Sequence, residues 1–174
     1  SRSTGIEALV EFNPIKAWSS NKKFGNLNFF VSIAIINAKY QSLQVITRQG
    51  NTLVEKNLRN NRVENAPENI YRTGLTYSKK QLTITAQYSY VSEAFSDANN
   101  TRIPTANGTN GLIPSYQIVD ISGTYKFSEM FFVKGGINNL MNEKYFTRRS
   151  NGYPGPGLMT AEPRNFFMTV GVKL

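Results

Sequence analysis

Leu82-Thr83-Ile84-Thr85-Ala86-Gln87-Tyr88-Ser89-Tyr90 alternates apolar or aromatic side chains with small polar ones, without a break. A period of two puts Leu82, Ile84, Ala86, Tyr88 and Tyr90 on one face of an extended strand and Thr83, Thr85, Gln87 and Ser89 on the other. Helical spacing is hard to find anywhere in the chain, and the same period continues on both sides of this stretch. Upstream it runs through Ile6, Ala8, Val10 and Phe12, then Leu27, Phe29, Val31, Ile33 and Ile35, then Tyr71, Thr73, Leu75 and Tyr77. Downstream it runs through Val119, Ile121, Gly123, Tyr125 and Phe127, then Phe131, Val133, Gly135 and Ile137, then Phe166, Met168, Val170, Val172 and Leu174. The pattern predicts strands over 4–14, 26–40, 69–78, 81–95, 116–127, 131–139 and 164–174. An even count would need the long second segment to split or a partner strand upstream.

The connections alternate in length. Short links are expected at Trp18–Lys23, Ser78–Lys80 and Ser128–Met130, and long polar ones at Gln41–Asn69, Ser96–Ser115 and Leu140–Pro163. Short turns at one end and long loops at the other are the layout of an outer-membrane β-barrel, whereas long structureless loops are uncommon in compact soluble domains. The face opposite the apolar one carries Glu7, Glu11, Arg72, Gln87, Asp120, Lys126, Lys134 and Lys173, groups expected to pair with one another or with a plug. Alternation alone does not say which face points outward, and a lipocalin-like barrel would reverse the assignment. Tyr71, Tyr77, Tyr88, Tyr90, Tyr125 and Phe127 fall near strand ends on the apolar face, as interfacial girdles do. The expected fold is therefore all-β, an antiparallel transmembrane barrel with long extracellular loops and short periplasmic turns. Seven strands do not close alone, because open edges in lipid leave backbone groups unpaired, so missing strands are expected from sequence outside these 174 residues.

Composition narrows the chemistry. The chain has 20 Lys+Arg against 11 Asp+Glu, a net charge of +9, and neither Cys nor His. Cys/His zinc sites, His-based triads, thiol nucleophiles and disulfides are thereby excluded. No spacing among Ser, Lys, Tyr and carboxylates suggests a nucleophile–base pair, so neither catalysis, a cofactor nor a metal site is expected. No apolar run approaches the roughly 20 residues of a membrane helix, and Ser1–Thr4 leads straight into patterned sequence, as in a mature chain or a piece of one.

The last third carries recognisable motifs. Gly136-Ile137-Asn138-Asn139-Leu140-Met141-Asn142-Glu143-Lys144-Tyr145-Phe146 resembles the NLFDKxY segment of TonB-dependent outer-membrane receptors, and Ala161-Glu162-Pro163-Arg164-Asn165-Phe166 resembles the PRxF start of their final strand. Tyr145–Arg149 and Tyr153–Gly157 are similar to the ferric-citrate-receptor branch, and Glu64–Asn69, Ser89–Glu93 and Ile113–Asp120 fit the same family's barrel. The resemblance implies about a third of a barrel of about 22 strands, with residues 1–174 as its C-terminal part and the plug outside this chain. It implies partners accordingly: outer-membrane lipid and lipopolysaccharide, a ferric chelate, the remainder of the barrel and plug, and TonB through that plug. Family barrels usually end in Phe; here residue 174 is Leu.

Lys144, Arg148, Arg149 and Arg164 make the last long loop basic. An Arg fork pairs carboxylates bidentately, so these residues, with the ring of Tyr153, are the candidates for binding an anionic ferric complex. The ordinary alternative is an ion-paired loop or contacts to lipopolysaccharide phosphates. Tyr153–Gly157 also reads as a rigid loop tip. Arg48, Lys56, Arg59 and Arg62 sit among Asn residues and read as a solvated loop, without the aromatics of a nucleic-acid surface; no nucleic acid is expected. Asn107-Gly108-Thr109 is a sequon that matters only in a glycosylating compartment. The expected function is outer-membrane transport of a ferric siderophore or ferric citrate, with this chain supplying wall and loops. The alternatives are a stand-alone small outer-membrane barrel with an adhesin or structural role and, third, a soluble β-sandwich that binds polyanions.

Overall fold

The computed structural model describes residues 1–18, 22–152 and 155–173; Tyr153 and Leu174 lie outside the described residues. The strands are β1 (Arg2–Phe12), β2 (Asn26–Lys39), β3 (Gln44–Gln49), β4 (Thr52–Asn57), β5 (Asn69–Lys79), β6 (Leu82–Val91), β7 (Ala94–Phe95), β8 (Leu112–Ile113), β9 (Tyr116–Lys126), β10 (Phe131–Asn138), β11 (Phe146–Ser150), β12 (Gly157–Thr160) and β13 (Asn165–Val172). A single helical turn, α1 (Pro14–Trp18), precedes β2. Seven strands form one sheet in the order β1-β2-β5-β6-β9-β10-β13, every described neighbour antiparallel.

The register confirms the alternation across the whole sheet. One row of cross-strand partners runs Phe12, Phe29, Leu75, Ala86, Ile121, Ile137, Phe166 through all seven strands. The row on the opposite face runs Asn28, Thr76, Thr85, Ser122, Gly136, Phe167. A one-residue slip would move a strand's apolar set to the opposite face, so the pattern itself fixes the pairing. β1, β5 and β9 have 11 residues each and β6 has 10, which matches the about 9–11 residues with which a tilted strand crosses the hydrocarbon.

Three phenylalanines stand on the polar face, and glycines explain them. Phe30 pairs with Gly74, Phe132 with Gly171 and Phe167 with Gly136. Each ring lies where a Cβ on its partner would have to go, at 2.6 Å from Phe167 Cε1 in the case of Gly136. Aromatic rings laid across strand glycines restore packing that glycine lacks. The same face carries hydroxyl contacts between Thr76 and Thr85 (3.1 Å) and between Thr83 and Ser78 (3.2 Å).

Among the described residues no second sheet packs on this one, and large apolar side chains of the apolar row and its neighbours stand open, Ile6 and Phe166 at 73% and Met168 at 77%, unlike the covered faces of a soluble sandwich. The buried hydrophobic residues among those described are Ala38, Leu58, Ala94, Phe95 and Ile113, all at the loop end. Nor do the strands form a closed small barrel, since β1 and β13 are opposite edges of the sheet. β2 stays a single strand of 14 residues rather than splitting. Aromatic pairs stand at both ends of the sheet: Tyr71 stacks on Tyr90 (5.8 Å) at the loop end, and Tyr125 meets Phe127 edge-on (5.0 Å) at the turn end.

One expectation is corrected. The link from β1 to β2 is not a short turn but the segment 13–25, which includes α1. Within the long loops, β3–β4, β7–β8 and β11–β12 each form a hairpin or strand pair. The ion pairs found among the described residues join Arg62 to Glu68 and Glu93, and Arg102 to Glu93, in the loops, which leaves a plug outside this chain as the expected partner of the polar-face charges.

Candidate functional site

The loop end of the sheet is organised by a buried asparagine. Asn139 follows β10 with a φ of 52° and is 3% exposed. Asparagine tolerates that left-handed backbone because its side chain bonds locally. Its backbone N–H donates to Asp120 Oδ1 (2.8 Å), its Oδ1 accepts from the Glu143 N–H (2.8 Å), and its Nδ2 donates to the carbonyls of Glu143 (2.9 Å) and Glu162 (3.3 Å). One side chain thus joins the end of β10, the loop that follows and the approach to β13. Beside it lies a recess of about 310 Å³ lined by Asp120, Asn138, Tyr145 and Glu162. Tyr145 stacks on Tyr116 at 4.4 Å. Burial, and then the charges of Tyr116, Asp120 and Glu162, push the Tyr145 phenol up from its ordinary pKa, so it stays a neutral hydrogen-bonding group.

The long loops are tied to one another. Arg149 donates from Nη1 to the Gly108 carbonyl (3.0 Å) and from Nη2 and Nε to that of Leu112 (2.9 and 3.3 Å), with its guanidinium over the Phe146 ring at 5.0 Å. A register shift between Phe146 and Arg148 in the β11–β12 pair brings Arg149 over Phe146. On the other side, Arg62 pairs with Glu68 (3.3 Å) and Glu93 (3.9 Å), donates to the Glu93 carbonyl (2.9 Å) and covers the buried Phe95 ring. Asn100 completes that junction by bonding both the N–H and the carbonyl of Arg62, each at 2.8 Å.

Of the residues singled out from sequence, Lys144 and Arg148 are exposed. Arg164 is exposed as well, and bonds through its N–H to Asn142 Oδ1 (3.1 Å) and through Nη1 to the Leu140 carbonyl (3.4 Å). Arg149 is half-buried in the junction just described. Tyr153 lies outside the described residues. Arg62, expected to be solvated, has a side chain only 15% exposed; its alternation-free, Asn-rich context gave no sign of a partner 31 residues away. Tyr116 escaped attention for a similar reason, because its ring partner Tyr145 comes from a different loop. Among the described residues no group of three or more His, Cys, Asp or Glu is placed to hold a metal ion.

A family model described as TonB dependent receptor-like, beta-barrel matches residues 1–140. Among solved structures, the ferric citrate transporter FecA in its unliganded form superposes with a TM-score of 0.78 at 20% identity, over 98% of this chain and 24% of that one. The siderophore receptor PiuA from Acinetobacter baumannii gives 0.65 at 19% identity, over 98% and 22%. The copper transporter OprC gives 0.52 at 12% identity, over 99% and 31%. The chain therefore spans about a quarter of the length of the structures it matches.

Proposed function

Because the chain belongs to the TonB-dependent receptor β-barrel family, we propose that it is part of the wall, and three of the extracellular loops, of an outer-membrane receptor that imports a ferric chelate, a siderophore or ferric citrate. The loops capture the ligand; a plug and the remaining strands come from sequence outside these residues, and TonB acts through that plug. The observation that carries the reading is the one-sided sheet, apolar through seven strands on one face, crowned by loops that Arg62 and Arg149 tie together. Such a cap offers an anion a surface whose ordering cost is already met.

Lys144, Arg148 and Arg164 are exposed cations of the last long loop and, with Tyr153, are the residues assigned to the ligand; Arg149 contributes by holding the loop in place. The fold is shared with a copper transporter, so the wall architecture alone does not name the cargo. The test is binding and uptake of labelled ferric citrate and of hydroxamate and catecholate ferric chelates by cells expressing the full-length protein, beside Lys144→Ala, Arg148→Ala and Arg164→Ala variants. Chelate-dependent uptake that falls at least tenfold in the triple variant supports the reading. Uptake of no ferric chelate, with the protein present and folded in outer membranes, rejects it.

A further inference from the structure

The described ends of the segment between β1 and β2 rest against the apolar face. Asn13 caps α1, its Oδ1 accepting from the Lys16 N–H (2.9 Å) and its carbonyl from the Ala17 N–H (3.0 Å). The turn places Trp18 edge-on against Phe12, centroids 5.6 Å apart, and Phe12 belongs to the apolar row of the sheet. Farther along, the Phe24 carbonyl accepts from the Tyr77 hydroxyl (3.2 Å), which stands on that same face. Between these two attachments lies an apolar groove of about 400 Å³ lined by Pro14, Ile15, Trp18, Phe24 and Leu27. Trp18 is 80% and Phe24 60% exposed. The groove is continuous with the lipid-facing surface and sits at its lower boundary, where Trp is favoured.

Charge says what fills it. Residues 13–26 hold three lysines and no acid, and the Lys16 side chain is exposed on the turn that forms the groove wall. We propose that this groove binds an anionic glycerophospholipid of the leaflet at the turn end, an acyl chain lying against Ile15, Trp18, Phe24 and Leu27 and the headgroup phosphate meeting Lys16 and Lys23. The site needs both halves. An apolar groove alone takes any acyl chain, and lysines alone take any anion; their adjacency at the edge of the apolar face selects an anionic lipid over a zwitterionic one.

Trp18 is the single tryptophan of these 174 residues and serves as the reporter. The full-length protein is placed in nanodiscs with phosphatidylglycerol or phosphatidylcholine brominated at the same acyl position, and the fluorescence of a Trp18→Phe variant is subtracted. The expected result is stronger quenching by the brominated phosphatidylglycerol, with the preference falling about fivefold for each of Lys16→Gln and Lys23→Gln. These substitutions lie outside the strands, and heat-modifiable electrophoretic mobility verifies the folded barrel. Equal quenching by both lipids makes the groove an unselective part of the wall and overturns the proposal. No quenching by either means that protein, such as a second copy, covers the groove, and overturns it too.

Discussion

Arg149 donates from Nη2 to the carbonyl oxygen of Leu112 across 2.9 Å, linking loops 37 residues apart in sequence. With the Gly108 contact, this makes the last long loop a brace for the one before it. Arg148, its neighbour on the same strand, is exposed. Adjacent and chemically identical side chains are therefore placed differently, one engaged with a neighbouring loop and one exposed.

Arg149→Ala should raise amide exchange over residues 105–113 by about tenfold, the loss of somewhat more than one net hydrogen bond, while Arg148→Ala should leave that segment unchanged. Hydrogen-exchange mass spectrometry of the full-length protein distinguishes them. Equal effects of the two substitutions would contradict the brace.

Asn139→Gly keeps the left-handed backbone but removes the side-chain bonds, and should destabilise the loop end by about 2 kcal/mol. Asn139→Ala adds the cost of the left-handed conformation, about 1 kcal/mol more. Urea unfolding of the refolded barrel measures the pair. If alanine proves no worse than glycine, the φ of 52° is not what selects asparagine here.

Gly74→Ala drives a methyl into the Phe30 ring and should cost about 1–3 kcal/mol, most of which Phe30→Leu should restore in the double variant. Gly136→Ala should resist rescue by Phe167→Leu, because its Cβ would also meet the Ile121 carbonyl at 2.7 Å, and backbone cannot swing away. A double-mutant cycle at each pair reports the coupling.

Tyr40 donates its hydroxyl to the Glu64 carboxylate, and that bond, followed by burial and the carboxylate charge, pushes its pKa from 10.0 to about 12. The fold thus favours the neutral phenol. The stabilisation it supplies is complete below pH about 10 and is lost as the pH rises toward about 12. The stability difference between the native protein and Tyr40→Phe should shrink across that interval. A difference that grows with pH there would invert the assignment.

The sheet was legible because a period of two over about ten residues is unmistakable, and the lengths of the connections separated one end of the strands from the other. Phe30, Phe132 and Phe167 were correctly placed on the polar face by alternation, but their purpose emerged only from register, since each glycine partner lies on another strand. The strand pairs within the loops were harder to see. β7 and β8 have two residues each, too few to show a period, and in β3 the adjacent Val45 and Ile46 interrupt one. Gly50-Asn51, which turns β3 into β4 with Gly50 at a φ of 63°, is the one local mark such a hairpin leaves in the sequence. The basic set at 144–164 was visible as charge. That Arg149 is engaged with main-chain carbonyls of a different loop was not, because backbone acceptors leave no mark on composition.

The ties that Arg62 and Arg149 make between loops also bear on immune recognition of the protein. The surface they assemble draws on residues 58–68, 93–113 and 142–150 together, so an antibody raised on the folded receptor meets a discontinuous epitope. A synthetic peptide copied from any one of these loops lacks the others that shape it. Sera against such peptides should recognise the denatured chain on a blot and fail to label intact cells.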